Sequence, residues 1–273
     1  MNKIYQIYQI SDSTGETLDR IFLAIKAQFS NFKCKTIHLS FTRTENQVDK
    51  ILSKSKEEKN VIILYTIVDS DLARYLALKC KQINIPCFEV LGNLISNFSK
   101  LLKQEASHKP SGQHALGKEY YKRIEAIQFT ISHDDGKIIS DLEKSDIILV
   151  GVSRTSKTPT SIYLANRGYK TANIPIILNK NLPEQIIQNT KKTCIIGLVC
   201  DSMRLSDVRK NRVQFIHKDR PSEYTNEKKI IDELENSKKL FKKNNWPIID
   251  VTRKSVEETA ASIIKIFDIL NTR

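Results

Sequence analysis

No apolar run in this chain approaches the roughly 20 residues that a membrane-spanning helix requires, so a bilayer-embedded helical protein is not expected. The opening residues Met1-Asn2-Lys3-Ile4-Tyr5 lead straight into a strand pattern rather than the apolar core of a secretion signal. A soluble, cytoplasmic protein is the expectation. Cysteine is sparse and odd in number: Cys34, Cys80, Cys87, Cys194 and Cys200 form no C-x-x-C pair, and several sit in apolar, strand-like runs. Reduced core thiols are therefore expected, in place of disulfides or a thiolate metal centre. Aromatic residues make up only 7% of the chain, and none interleave with a basic run. That removes the stacking platform a single-strand nucleic-acid binder needs. Internal repeats and low-complexity tracts are also missing.

What remains is the composition of an ordinary globular chain, 40% hydrophobic and 27% charged, and 273 residues leave room for two domains. The net charge of +13 is spread through the sequence among many Ile and Asn residues instead of forming a stripe. It favours phosphate-bearing or acidic partners, and nucleic acid is not an expected one.

The first half alternates short apolar strands with amphipathic helices, the pattern of a largely parallel sheet. Strands are predicted at Ile4 to Ile10, Thr36 to Phe41, Val61 to Ile67 and Pro86 to Val90. Between the first two lies Ser11-Asp12-Ser13-Thr14-Gly15-Glu16-Thr17, where Ser13 and Glu16 have the spacing of a capping box ahead of an apolar helix face. Such a turn can also hold an anion at the helix N-terminus. Turn-forming residues at 106 to 118 mark a linker, giving an N-terminal α/β domain at 1–108 and a second domain at 119–273.

The second half begins with a helical stretch. Asp135-Gly136, between apolar runs at Gln128 to Ile131 and Ile138-Ile139, predicts a tight hairpin. Further strands are expected near Ile174 to Leu178, Cys194 to Cys200 and Pro247 to Val251, with amphipathic helices through Ile162 and Leu164, through Ile230 to Phe241, and after a second capping box at Ser255 and Glu258.

The chemistry-bearing segment is Gly151-Val152-Ser153-Arg154-Thr155-Ser156-Lys157-Thr158, entered from the apolar run Ile147-Ile148-Leu149-Val150. Strand, glycine turn, lysine and hydroxyl in that order form a P-loop: backbone N–H groups cradle phosphate, the lysine reaches its oxygens and the hydroxyl can ligate Mg²⁺. The second glycine of the usual pattern is Ser156 here. An acidic residue at a neighbouring strand end would complete such a metal site, and both Asp201 and Asp250 qualify. Asp134-Asp135 could instead supply a carboxylate that takes a proton from an attacking hydroxyl, or could simply be a turn; His133 is ambiguous in the same way. In a helix, Arg209 and Arg212 would share a face at i and i+3, able to grip a second phosphate or to lie solvated beside Arg204.

The P-loop segment, continuing through Pro159-Thr160-Ser161, together with Ser132-His133-Asp134-Asp135-Gly136 upstream and Ser11 to Thr17 at the N-terminus, closely resembles the pyruvate, phosphate dikinase regulatory protein family along essentially the whole chain. The resemblance implies a bifunctional enzyme. Its kinase activity would take phosphate from ADP and place it on an active-site threonine of the dikinase, and its phosphorylase activity would use inorganic phosphate to remove it as pyrophosphate. It also implies a nucleotide domain similar to HPr kinase/phosphorylase and phosphoenolpyruvate carboxykinase, and a homodimer. On that basis Asp135 is the acid/base residue, Lys157 neutralises transferred charge, and Gly151, Val152, Ser153, Arg154, Thr155, Ser156, Lys157 and Thr158 hold the nucleotide. Mg²⁺ as a companion ion, and its ligands, are left open. Plant members carry a lysine where this chain has Ser132, a role that would pass to Arg154 or be absent. A sister group acting on phosphoenolpyruvate synthase typically has Cys-Gly at Thr155-Ser156, so the dikinase is the expected target. A P-loop kinase that uses ATP on a small molecule is the rival from outside the family.

Overall fold

The computed structural model describes residues 3–112, 118–177, 182–188, 193–216 and 222–272. The chain divides into two compact units, Met1–Ala115 and Leu116–Arg273. The first contains β1 (Tyr5–Ser11), α1 (Glu16–Lys26), β2 (Cys34–Leu39), α2 (Glu45–Lys56), β3 (Val61–Thr66), α3 (Ser70–Gln82), β4 (Cys87–Glu89) and α4 (Gly92–Leu102). The second contains α5 (Lys118–Ser132), β5 (Ile147–Gly151), α6 (Lys157–Asn166), β6 (Thr171–Pro175), α7 (Glu184–Gln188), β7 (Cys194–Val199), α8 (Ser202–Ile216), α9 (Glu227–Lys243), β8 (Ile248–Asp250) and α10 (Val256–Asn271).

Among the described residues each unit has a four-stranded, wholly parallel sheet, ordered β2-β1-β3-β4 in the first and β6-β5-β7-β8 in the second. The two orders are the same: the chain moves outward once, then crosses back over its first strand. The crevice beyond the C-terminal ends of β1 and β3, or of β5 and β7, is the switch point at which open α/β sheets take ligands. The segment Gly151 to Thr158 leaves β5 at that position.

Parallel strands covered on both faces lose the alternation of an amphipathic sheet. Accordingly every residue of β5 and of β7 is buried. One face of the second sheet packs Ile147, Leu149, Ile196 and Leu198 against Leu164, Ile230, Leu234 and Ile263. The other packs Ile148, Val150, Ile174 and Ile195 against Ile186, Phe241 and Trp246. The cysteines are all unpaired, and Cys80, Cys194 and Cys200 are buried as core thiols.

Three local expectations need adjustment. The hairpin does not form: Gln128 to Ile131 lie inside α5, and Asp134–Gly136 make a single 3₁₀ turn. Asp135 and Gly136 still take the paired positive φ values, 52° and 70°, that make Asp-Gly a hairpin signal. The turn joins a helix to an irregular segment because burial of Ala126, Thr130 and His133 settles the preceding residues as a helix. Ser13 caps nothing: α1 starts behind Gly15, with no side-chain cap, and the Ser13 hydroxyl bonds that of Ser111 at 2.8 Å. The expected strand near Ile174 to Leu178 runs instead from Thr171 to Pro175, and Leu178 lies outside the described residues. The second capping box forms as expected, with Ser255 accepting from Glu258 N at 3.1 Å and Glu258 accepting from Ser255 N at 2.8 Å.

Candidate active site

The loop from β5 to α6 is shaped by one close approach and two left-handed residues. A Cβ on Gly151 would lie 2.7 Å from Leu198 O and 2.8 Å from Thr155 Oγ1, so only glycine lets the loop leave the sheet beside β7. Arg154 and Ser156 hold φ of 74° and 59°. Ser156, standing where the usual P-loop has glycine, keeps a glycine's conformation and N-caps α6. A side chain there costs roughly 1 kcal/mol or more, which the surrounding contacts must offset. Thr155 is fully buried and donates to Val152 O at 2.9 Å, drawing the loop into a ring.

Lys157 opens α6 and folds back into that ring, with Nζ donating to Val152 O at 2.9 Å. It is 5% exposed. Burial lowers its pKa to about 8; Asp135 and Asp134 pull the other way, while Arg154 and Arg209 add to the depression. The lysine is thus a buried cation beside a cleft, held near the pH at which it would lose its proton. The cleft is a cavity of about 500 Å³ lined by Asp135, Ser153, Arg154, Ser156, Lys157 and Thr158, with Pro175, Ile176 and Val208 among its walls. That is within the ordinary range for a small-molecule site.

The two adjacent aspartates divide between two environments. Asp134 accepts from Thr158 Oγ1 at 2.9 Å and from Asn173 Nδ2 at 2.6 Å, and Asn173 Nδ2 also donates to Thr158 Oγ1 at 3.0 Å. Asn173, on β6, is fully buried, and its backbone N–H holds His133 O at 3.2 Å. The 3₁₀ turn is therefore clamped to both the sheet and the Thr158 hydroxyl. Asp135, exposed and left-handed, is presented into the cleft by that clamp.

His133 faces away from this chemistry. Its Nδ1 lies 2.7 Å from Phe129 O, its Nε2 lies 2.8 Å from Asp141 Oδ1, and its ring stacks on Phe129 at 3.8 Å. It pins α5 to the segment beyond the turn, and the hydrogen bond from His133 holds the Asp141 carboxyl below the usual range.

The arginine cluster separates. Arg204 and Arg212 are exposed on α8, whereas Arg209 is 1% exposed and pairs with Glu233 Oε2 at 2.6 Å. Arg209 also donates to Tyr224 O at 3.2 Å and Ser153 O at 3.4 Å, and its guanidinium lies 4.7 Å from the Tyr224 ring. It braces the loop after β5 from behind, so of the two alternatives Arg212 takes the solvated one and Arg209 neither, being buried away from it. Tyr224 in turn places its hydroxyl 3.2 Å from Ser153 Oγ and 3.4 Å from Arg154 Nε. Burial would raise that phenol's pKa, but the hydrogen bonds from Ser153 and Arg154, with the charges of Arg154 and Arg209, bring it below 10.

Neither predicted strand-end carboxylate lines the cleft. Asp201 caps α8, accepting from Met203 N and Arg204 N at 2.9 and 3.1 Å, and Asp250 accepts from Thr252 N at 2.9 Å. Asn173, Tyr224 and Arg209's bracing role were not legible in the sequence, which gives a lone buried asparagine or a distant tyrosine no local signature.

A loop that can cradle phosphate, with a buried lysine and a carboxylate across the cleft, is an arrangement for moving phosphoryl groups. The sequence profile of the kinase/pyrophosphorylase family matches residues 7–264, nearly the full chain. The chain belongs to the kinase/pyrophosphorylase family. Its relatives within that family share the chain end to end. A protein of Pelagibacter ubique (strain HTCC1062), named "Putative pyruvate, phosphate dikinase regulatory protein", is 62% identical over 98% of both chains. Proteins of the same name from Chelativorans sp. (strain BNC1) and Bartonella tribocorum are 44% and 42% identical, over 96% and 97% of this chain and 96% and 95% of theirs. A fatty acyl CoA synthetase of Mycobacterium tuberculosis aligns with 91% of this chain and 49% of its own at 13% identity and a TM-score of 0.23, too weak to inform the fold. Membership of the kinase/pyrophosphorylase family makes this chain a phosphotransferase enzyme, and no helix among the described residues is long and apolar enough to cross a membrane.

Proposed function

We propose that this chain is a bifunctional regulator of pyruvate, phosphate dikinase in the cytoplasm, and that both of its reactions use the cleft at the end of β5. In the kinase direction the β-phosphoryl group of ADP passes to a threonine hydroxyl of the dikinase, leaving phosphothreonine and AMP. In the phosphorylase direction inorganic phosphate attacks the phosphothreonine phosphorus, giving threonine and pyrophosphate. The observation that carries this reading is the division of labour between Asp134 and Asp135. Asp134 is committed to Thr158 and Asn173, while Asp135 stands in the same cleft as Lys157. Asp135 then takes the threonine proton as the new P–O bond forms and returns it on release. Lys157 and the backbone N–H groups of 152–157 neutralise the oxygens of whichever anion occupies the loop.

Mg²⁺ would be held by Thr158 Oγ1 at the cleft and by the Asp134 carboxylate, 2.9 Å from that hydroxyl, oxygen donors of the kind a hard cation takes. The ion would supply further charge neutralisation. Asp134 is proposed for that role over Asp201 and Asp250 because it is bonded to the Thr158 hydroxyl, whereas they are engaged at the start of α8 and with Thr252. A nucleotide domain of the HPr kinase/phosphorylase and phosphoenolpyruvate carboxykinase type is consistent with a P-loop on a parallel sheet. The names of the full-length relatives support the dikinase as target, as does Thr155-Ser156. Phosphoenolpyruvate synthase is the second candidate.

Purified protein incubated with β-labelled ADP or γ-labelled ATP, and with dikinase, synthase or no target, tests the reading. Label is expected to pass from ADP to a dikinase threonine, and inorganic phosphate is expected to release it as pyrophosphate. Lys157→Ala should abolish both directions, and Asp135→Asn should retain ADP binding while losing at least about 100-fold in transfer. Transfer from ATP to a metabolite with none to either protein would overturn the assignment.

A further inference from the structure

Arg154, in the loop after β5, is an exposed cation on the wall of a cleft that already holds Lys157, with the buried Arg209 behind the loop. Like charges gathered in one place repel. Among the described residues no carboxylate stands within ion-pair distance of Arg154, Asp135 of the same cleft included. A flexible arginine in that setting gains rotamer entropy by turning out to water. What it meets instead is a phenol. The Tyr224 hydroxyl accepts from Arg154 Nε at 3.4 Å and lies 3.2 Å from Ser153 Oγ.

Tyr224 is fixed from behind. Its carbonyl accepts from Arg209 Nη1 at 3.2 Å, and the Arg209 guanidinium lies 4.7 Å from its ring. Arg209 is in turn tied to Glu233 of α9 at 2.6 Å. A row of contacts thus runs from α9 through α8 and Tyr224 to the guanidinium of Arg154. The chemistry of the last contact matters. A carboxylate in the place of the phenol would cancel the arginine's charge, whereas a neutral oxygen holds the side chain and leaves that charge for a ligand. Because the bond uses Nε, the donors on Nη1 and Nη2 stay available for a ligand's oxygens.

We propose that Tyr224 is a positioning residue for Arg154 and, through it, determines which anion the cleft prefers. Lys157 is folded into the loop and meets the phosphoryl group seated there. The exposed guanidinium of Arg154 meets the next phosphoryl group outward. A diphosphate engages both cations, and orthophosphate engages Lys157 alone. This rests on the reading that the cleft takes phosphoryl ligands, and adds that it selects among them by the number of linked phosphates.

Calorimetric titration of the full-length protein with pyrophosphate, and separately with orthophosphate, tests it. Tyr224→Phe keeps the ring against Arg209 and the backbone carbonyl, so circular dichroism should be unchanged. Pyrophosphate affinity should fall by about 10-fold and orthophosphate affinity by less than about 2-fold, because only the longer anion must then order a loose guanidinium. Arg154→Met should show the same bias against pyrophosphate. Adding Tyr224→Phe to it should weaken pyrophosphate binding by less than about 2-fold more, the non-additivity of two residues that act as one unit. Equal losses for the two anions, or an undiminished Tyr224→Phe effect in the Arg154→Met background, would show that the phenol only shapes the loop, and would overturn the proposal. Unchanged pyrophosphate binding in Tyr224→Phe overturns it too, and leaves the phosphotransfer reading standing, since Lys157 and Asp135 are untouched. A parent protein that binds neither anion nor ADP overturns both.

Discussion

Lys157 is the residue at which stability and function oppose each other. Its folded pKa, lowered to about 8 by burial, lies below the ordinary value of 10.5. The unfolded chain therefore binds the extra proton between those limits, and the sign of the linkage makes the native state gain stability as pH rises through that window. At neutral pH the charge is a cost. Lys157→Met should raise the stability by about 2 kcal/mol at pH 7 while removing anion binding, and that advantage should shrink as pH rises from 8 toward 10.5. Chemical denaturation of both proteins at pH 7 and pH 9.5 checks it, and an advantage that does not vary with pH would place the lysine's charge outside the stability difference. Calorimetric titration should also show ADP binding weakening above pH 8, since the bound diphosphate needs the lysine charged. Ser156 shows a second residue-scale point, because it holds a left-handed φ of 59° although it carries a side chain.

Among the elements, the 3₁₀ turn at Asp134–Gly136 decides whether Asp135 is usable. It is fastened by Asn173 on β6 and by Thr158 on α6, so three segments meet at one carboxylate. Asn173→Ala removes the central donor and leaves Asp134 with Thr158 alone. A fall of about 10-fold or more in transfer rate is expected with ADP affinity within about 3-fold of the parent, the pattern for lost positioning of a group that acts in the transition state. Parallel losses in both quantities would mean that the clamp shapes the phosphate cradle itself. The sequence indicated the Asp-Gly turn but placed it between strands, because positive φ is a local preference while the partner of the turn is set by packing. For the same reason Ser13-x-x-Glu16 matched a capping box that the loop beside Ser111 does not form.

At the scale of the whole molecule, each unit carries its own core, with Ile10, Ile63 and Leu76 in one and Leu149, Leu198 and Ile263 in the other. A ligand that binds only the second unit stabilises only what unfolds with it. Scanning calorimetry should resolve two transitions, of which ADP raises one by several degrees and leaves the other in place. A single transition that shifts as a whole would show that the units unfold together.

The sequence by itself determined the mixed α/β class, the strand positions to within a few residues except for the hairpin at 128–139, the unpaired cysteines and the segment Gly151 to Thr158. Those features are written in local periodicity and in short spacings along one stretch of chain. The tertiary structure alone decided that Asp134 is clamped while Asp135 is presented, that Arg209 is a buried brace, and that Asp201 and Asp250 stand outside the cleft. Each depends on residues far apart in sequence meeting in space, where burial and competition for hydrogen-bond partners, rather than local preference, assign the role.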